Sequence, residues 1–155
     1  MKQTDNKLGK TSYPLHRILR KIFLNLSESI WISSGFRIKL LRLAGIQIGE
    51  RTFIGANVMF DGIHPDLVTI GEHVKITSGT KIVTHFFNPE DDGMYTGSVL
   101  IGNDVFIGMN TLIVNSVTIG EGSVIAAGSV VTKDIPSQEI WGGNPAKFLK
   151  KRIYN

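Results

Sequence analysis

From residue 46 onward, bulky apolar residues recur every six positions: Ile48, Ile54 and Phe60, then Ile70, Ile76 and Ile82, then Ile101, Ile107, Ile113, Ile119, Ile125 and Val131. Two residues ahead of each stands Ile46, Thr52, Val58, Val68, Val74, Thr80, Val99, Val105, Thr111, Val117, Ser123 or Ser129, every one β-branched or small. Residues two apart on a strand share a face, so each unit offers one small and one large side chain to a common interior. Strands of about four residues joined by turns, three to a coil, make rungs of about 18 residues that stack through parallel ladders. The pattern predicts a triangular parallel β-helix over 46–140. A sandwich of short alternating strands has no reason to hold this period over twelve units. Two interruptions break the count, Gly62–Val68 and the longer inserted loop 83–99. Glycine follows the large aliphatic in half the units and is read as a former of the turns.

Residues 1–45 do not follow the repeat. Leu15, Ile18, Leu19, Ile22 and Leu26 fall at helical spacing behind Ser12, a plausible N-cap, and Pro14, predicting an amphipathic helix over 15–26 with Arg17, Arg20 and Lys21 on its polar side. Ile38, Leu40, Leu41 and Leu43 continue an apolar segment that ends at Ala44–Gly45. Two roles are open for this region. It caps the open end of the β-helix, or it rests on an anionic membrane with Trp31 and Phe36 as interfacial anchors. At the other end, Val131–Pro136 closes the last coil, and Pro145 opens a basic segment, Ala146–Arg152, expected as a short helix within a tail over 141–155.

Composition narrows the function classes. A chain of 155 residues is one domain by prior. The absence of cysteine removes disulfides, thiolate metal sites and a cysteine nucleophile. No apolar run reaches the roughly 18 residues of a membrane span, and Met1–Lys10 lacks the apolar stretch of a secretion signal, so the cytoplasm is the expected compartment. The net charge of +4 suggests nucleic acid until it is divided along the chain. Residues 1–42 hold nine basic and two acidic residues, whereas 43–155 hold eight and eleven, four of those eight near the C-terminus. No basic stripe interleaved with aromatics remains to grip a phosphate backbone.

The hexapeptide run, the insertion Val83-Thr-His-Phe-Phe with Gly93-Met-Tyr95, the segments Ile101–Gly108 and Ala126–Pro136, and Trp141-Gly-Gly-Asn-Pro-Ala-Lys147 together resemble the hexapeptide-repeat O-acetyltransferases. The likeness spans about residues 40–152 and is similar in pattern to maltose, galactoside and nodulation-factor acetyltransferases and to those of capsule and exopolysaccharide synthesis. It implies a left-handed coil, a homotrimer with sites between subunits, and acetyl transfer from acetyl-CoA to a sugar hydroxyl without a metal.

The resemblance makes His85 the general base. Its imidazole chemistry suits the task, because an ordinary histidine is largely neutral near pH 7 and accepts a proton. Asn57, Asp61 and Tyr95 match positions near the acceptor. Asp61 orients His85, holds a sugar hydroxyl, or forms an ordinary Asp-Gly turn with Gly62. For coenzyme A, Gly108, Met109 and Ala127 match backbone contacts to the pantetheine, Thr132 and Lys133 lie near the adenine end, and Lys147 and Lys150 match phosphate-binding cations. Phe106 stands where relatives often carry tryptophan, and Met109 where a small polar residue is common. Two other readings remain beside this one: a zinc hydratase of the carbonic-anhydrase type using His64, His73 and His85, and a β-helix scaffold without catalysis.

Overall fold

The computed structural model describes residues 6–7, 15–88, 90–91, 93–114 and 116–153. Ser12 and Pro14, read above as the start of the first helix, lie outside them.

The described residues of the repeat wind into four three-stranded coils, and the register is the one the spacing predicts. Parallel ladders align Ile48, Ile70, Ile101 and Ile119 on the first face. Ile54, Ile76, Ile107, Ile125 and Trp141 align on the second, and Phe60, Ile82, Ile113 and Val131 on the third. These side chains fill the prism, with Ile54, Ile76, Ile82, Ile107, Ile113, Ile119 and Ile125 wholly buried. At about 1.5–3 kcal/mol for each buried aliphatic, the stacks are the main stabilising contribution. The small residues two positions earlier are buried as well, and their hydroxyls bond to carbonyls of nearby turns: Thr111 Oγ1 to Gly108 O at 2.7 Å, and Ser123 Oγ to Pro136 O at 2.7 Å.

The glycines after the core aliphatics act differently from the expectation. The left-handed turn conformation sits two residues later, at Arg51, Asn57, His73, Asp104 and Asn110, with φ of 55–56°. The glycines are instead set by the stacking distance between coils. A Cβ on Gly49 would lie 2.6 Å from the Glu72 amide nitrogen, and one on Gly120 would lie 2.4 Å from that of Ser137. Glycine occupies this position at every first corner, between the first and second faces: Gly49, Gly71, Gly102 and Gly120. At the third corner, between the third face and the next coil, the same position holds Asp61, Val83, Val114 and Thr132. Both interruptions of the repeat leave the prism from this third corner.

Two helices stand at the open end of the first coil, α1 (Leu15–Ser27) and α2 (Ser34–Leu43). Ser33 caps α2, accepting from the Phe36 amide at 3.3 Å. In the second coil the carbonyls of Ile70 and Ile76 accept from the coil before, from the amides of Gly49 and Gly55 at 2.8 Å; the matching carbonyls of Ile48 and Ile54 have no coil before them to supply partners. α2 supplies them. Arg37 Nη1 donates to Ile54 O at 2.9 Å and Arg42 Nη2 to Ile48 O at 2.8 Å, while Ser34 Oγ accepts from the Ile54 amide at 2.9 Å. Arg37 is buried, and its remaining donors hold Ser27 O at 2.6 Å and Ser29 O at 2.7 Å, tying the end of α1 to the prism. Leu24, Ile38, Leu41 and Ala44 join the same apolar core as the coils.

The C-terminal segment departs from the predicted helix. Lys147–Lys151 is a strand, antiparallel to Glu139–Gly142. Glu139–Gly142 ends the second-face sheet and would otherwise expose an unpaired edge, so pairing that edge overrides the helical leaning of a Lys/Leu-rich stretch. Lys151 Nζ bonds Glu139 Oε1 at 2.6 Å and locks the pair.

Candidate active site

Asp61 follows Phe60 at the third corner of the first coil, and Val83, Thr84 and His85 follow Ile82 at the third corner of the second. Because Phe60 and Ile82 are ladder partners, the two departing chains begin side by side. His85 Nδ1 lies 2.5 Å from Asp61 Oδ2. The same oxygen accepts from the Thr84 amide at 3.0 Å and from Thr84 Oγ1 at 2.8 Å, and Asp61 Oδ1 accepts from the Ile63 amide at 2.9 Å. The Asp61 side chain is 1% exposed and that of His85 is 31% exposed. Asp61 thus bonds His85 through one carboxylate oxygen and its own local turn through the other.

Burial alone would push the Asp61 carboxyl up, but the hydrogen bonds from Ile63, His85 and Thr84 and the proximity of the imidazole outweigh it, and its pKa lies below the ordinary value. An ionised carboxylate only accepts, so Nδ1 of His85 carries the proton and Nε2 keeps its lone pair. That is the arrangement of a general base with its orienting partner. Thr84 escaped the sequence reading. Its signal was positional: both interruptions begin after the third unit of a coil, which puts residues 61 and 84 against each other.

The insertion forms a hairpin, His85–Asn88 with Gly93–Thr96. Asn6–Lys7 adds a further antiparallel strand along Tyr95 and Thr96. His85 is paired with Thr96 and Phe86 with Tyr95, so Tyr95 belongs to the opposite face of the hairpin from His85. There it stacks on Phe86, with centroids 5.9 Å apart, and its hydroxyl donates to Asp91. Asn57 sits at the second corner, between the second and third faces, its amide bonded to Glu28 O at 3.0 Å. Neither Asn57 nor Tyr95 meets the Asp61–His85 pair within one chain. A cleft of about 240 Å³ between α1 and the third face is lined by Lys21, Leu24, Asn25, Glu28, Met59, Phe60 and Gly62, and neither Asp61 nor His85 is among its lining residues.

The residues matched to coenzyme A gather elsewhere. Gly108, Met109 and Ala127 stack at the second corner, where Gly128 N donates to Met109 O at 2.7 Å and a Cβ on Gly108 would lie 2.4 Å from the Ala127 amide. Met109 is exposed, and Phe106 stands outward on the second face just before it. Toward the C-terminal end, Thr132 and Lys133 are exposed, and Lys133 Nζ lies 5.2 Å from the Trp141 ring centroid. Phe148 meets the same ring edge-on, and Lys147 and Lys150 are exposed on the last strand. This ledge and His85 lie on different corners of one chain, separated by a strand of roughly four residues, or ~13 Å. His73 is at the first corner beside Arg51 and Asp104, apart from His85, and no cluster of three metal-ligating side chains occurs among the described residues.

Comparison with known proteins agrees with the winding. The bacterial transferase hexapeptide (six repeats) model matches residues 98–133, and the hexapeptide repeat of succinyl-transferase matches residues 45–82. The chain is similar to protein CapG of Staphylococcus aureus, 41% identical over 146 residues, covering 85% of this chain and 78% of that protein. It is 31% identical to galactoside O-acetyltransferase of Escherichia coli over 139 residues, covering 86% of this chain and 66% of that one. A hexapeptide-repeat acetyltransferase from Vibrio cholerae, solved in complex with acetyl coenzyme A, superposes with a TM-score of 0.73 at 29% identity, covering 90% of this chain and 88% of that one.

Proposed function

The chain belongs to the hexapeptide-repeat acetyltransferase family, and from that premise we propose that it moves the acetyl group of acetyl-CoA to a hydroxyl of a sugar or polysaccharide precursor. The observation that carries this reading is the Asp61–His85 pair: a buried carboxylate fixing the Nδ1 proton of a partly exposed imidazole. His85 Nε2 takes the hydroxyl proton as that oxygen attacks the thioester carbonyl carbon. The tetrahedral intermediate then collapses, the C–S bond breaks, and the proton passes from the imidazolium to the departing thiolate of coenzyme A. Asp61 stabilises the imidazolium between these steps. Attack is direct, with acceptor and acetyl-CoA bound together, and no acyl-enzyme is needed.

The ledge of Gly108, Met109 and Ala127 receives the pantetheine through backbone groups. Phe106 flanks it, Thr132 and Lys133 take the adenine end, and Lys147 and Lys150 meet the phosphates as point charges. Since ledge and base occupy different corners of one chain, the complete site forms where the second corner of one subunit meets the third corner of another. A homotrimer satisfies this, and it leaves Asn57 and Tyr95 as acceptor contacts contributed across the interface. The test is acetyl-CoA turnover, followed by free-thiol release, against a panel of monosaccharides, nucleotide sugars and lipid-linked glycans. Acceptor-dependent release with a stable O-acetyl product is expected; release equal to that without any acceptor contradicts the assignment.

A further inference from the structure

The apolar stripe of α1, for which capping of the prism and contact with a membrane were both open, is not spent on the prism. Leu24 and Phe23 pack inward, and Arg20 reaches over Gly45 and pairs with Asp66 at 3.0 Å. The stripe itself faces outward. Ile18, Leu19, Ile22 and Leu26 are each about half exposed, at 47–54%. Ile18, Ile22, Leu26 and Ile30 succeed one another four residues apart, and the line ends in Ile30 at 60% and Trp31 at 90% exposure. An indole left almost wholly in water at the end of a row of branched aliphatics needs a partner.

Charge identifies its nature. Arg17 precedes the stripe on α1, and the exposed Lys39 stands on α2. The segment 1–42 carries nine of the chain's basic residues against two acids, whereas the remainder is net acidic. Arg37 and Arg42 are spent on prism carbonyls. A protein partner's interface core is depleted in lysine, while a helix lying in a lipid headgroup layer carries Lys/Arg beside its apolar face and tryptophan at the boundary.

We propose that Ile18, Leu19, Ile22, Leu26, Ile30 and Trp31 form a docking surface for an anionic lipid bilayer, with Arg17 and Lys39 meeting the headgroups. The chain then sits peripherally, α1 parallel to the membrane plane.

Flotation of the full chain with vesicles tests this, using phosphatidylcholine alone and equal parts phosphatidylcholine and phosphatidylglycerol. Binding is expected to the mixed vesicles, weakened by salt, and reduced by on the order of tenfold or more in Ile22→Glu/Leu26→Glu. Trp31 emission should shift blue on vesicle addition, and Trp31→Phe should abolish the shift. These positions are exposed, so unchanged melting confirms that the variants fold. Failure to bind the mixed vesicles overturns the proposal, as does equal binding by wild type and the double variant. A double variant that loses subunits instead of lipid binding overturns it in favour of a second copy of this chain.

Discussion

The first and third corners of the prism share a backbone role and differ in almost everything else. At the first corner the residue after the core aliphatic is glycine in all four coils, because successive backbones approach too closely for a side chain. At the third corner it is Asp61, Val83, Val114 and Thr132, and from there the chain makes both of its excursions. Tight stacking at one edge fixes the rise from coil to coil. That fixed rise brings Asp61 beside Thr84 and His85 at the other edge, although 24 residues separate Asp61 from His85. The lesson is a division of labour: one corner is closed to chemistry by its packing, and the other acquires chemistry because its side chains and loops are unconstrained.

The largest way to break this comparison is to remove the ruler itself. Ile107→Asp buries a charge in the middle of the second-face stack, between Ile76 and Ile125, and is expected to leave no folded soluble protein. A variant with unchanged melting would mean that the stacks do not hold the coils. Asp61→Asn keeps the shape of the third corner but lets the amide present its NH₂ to Nδ1, and should lower kcat by about 10²–10⁴ with coenzyme binding unaffected. Gly120→Ala at the first corner meets the Ser137 amide and should cost about 1–3 kcal/mol of stability, read by denaturant unfolding. Gly62→Ala at the third corner, whose Cβ meets nothing nearer than Lys21 at 3.9 Å, should cost far less. Equal losses would erase the distinction between the corners.

A smaller effect follows from pH. The Asp61 carboxyl titrates lower in the folded chain than the ordinary 3.8, so its stabilisation is complete above that value and is lost as pH falls through the folded pKa. The stability advantage of wild type over Asp61→Asn should therefore shrink as the solution is acidified below about 4. An advantage that grows on acidification would mean the carboxyl is not held ionised. The smallest effect is expected of Tyr95→Phe, which removes one acceptor hydrogen bond brought across the interface and should raise the acceptor KM by about tenfold with kcat little changed. An unchanged KM would remove Tyr95 from the acceptor site.

The prism was legible because its period is strict and each unit repeats the same small-then-large pair. The helix α2 was legible only as an apolar segment, since its buried face includes Arg37, a residue that hydropathy assigns to water and that the unpaired carbonyls of the first coil call inside. Lys147–Lys151 carried helix-forming residues, and its strand comes from the edge beside it, which no local pattern reports. The candidate site was half visible. His85 emerged through the resemblance, Asp61 was left between three roles, and Thr84 was passed over because its part depends on which corner each interruption leaves from. How the second corner of the proposed coenzyme ledge would meet the proposed base depends on assembly of copies, which a single chain's pattern does not encode.

The central claim is that the third corner supplies the base. The most direct test is His85→Ala, assayed by free-thiol release from acetyl-CoA with the best acceptor, alongside calorimetric titration with coenzyme A. The account predicts a fall in kcat of about 10²–10⁴ with the coenzyme affinity and melting temperature retained. Turnover near that of wild type, in a variant that still binds the coenzyme, would contradict it.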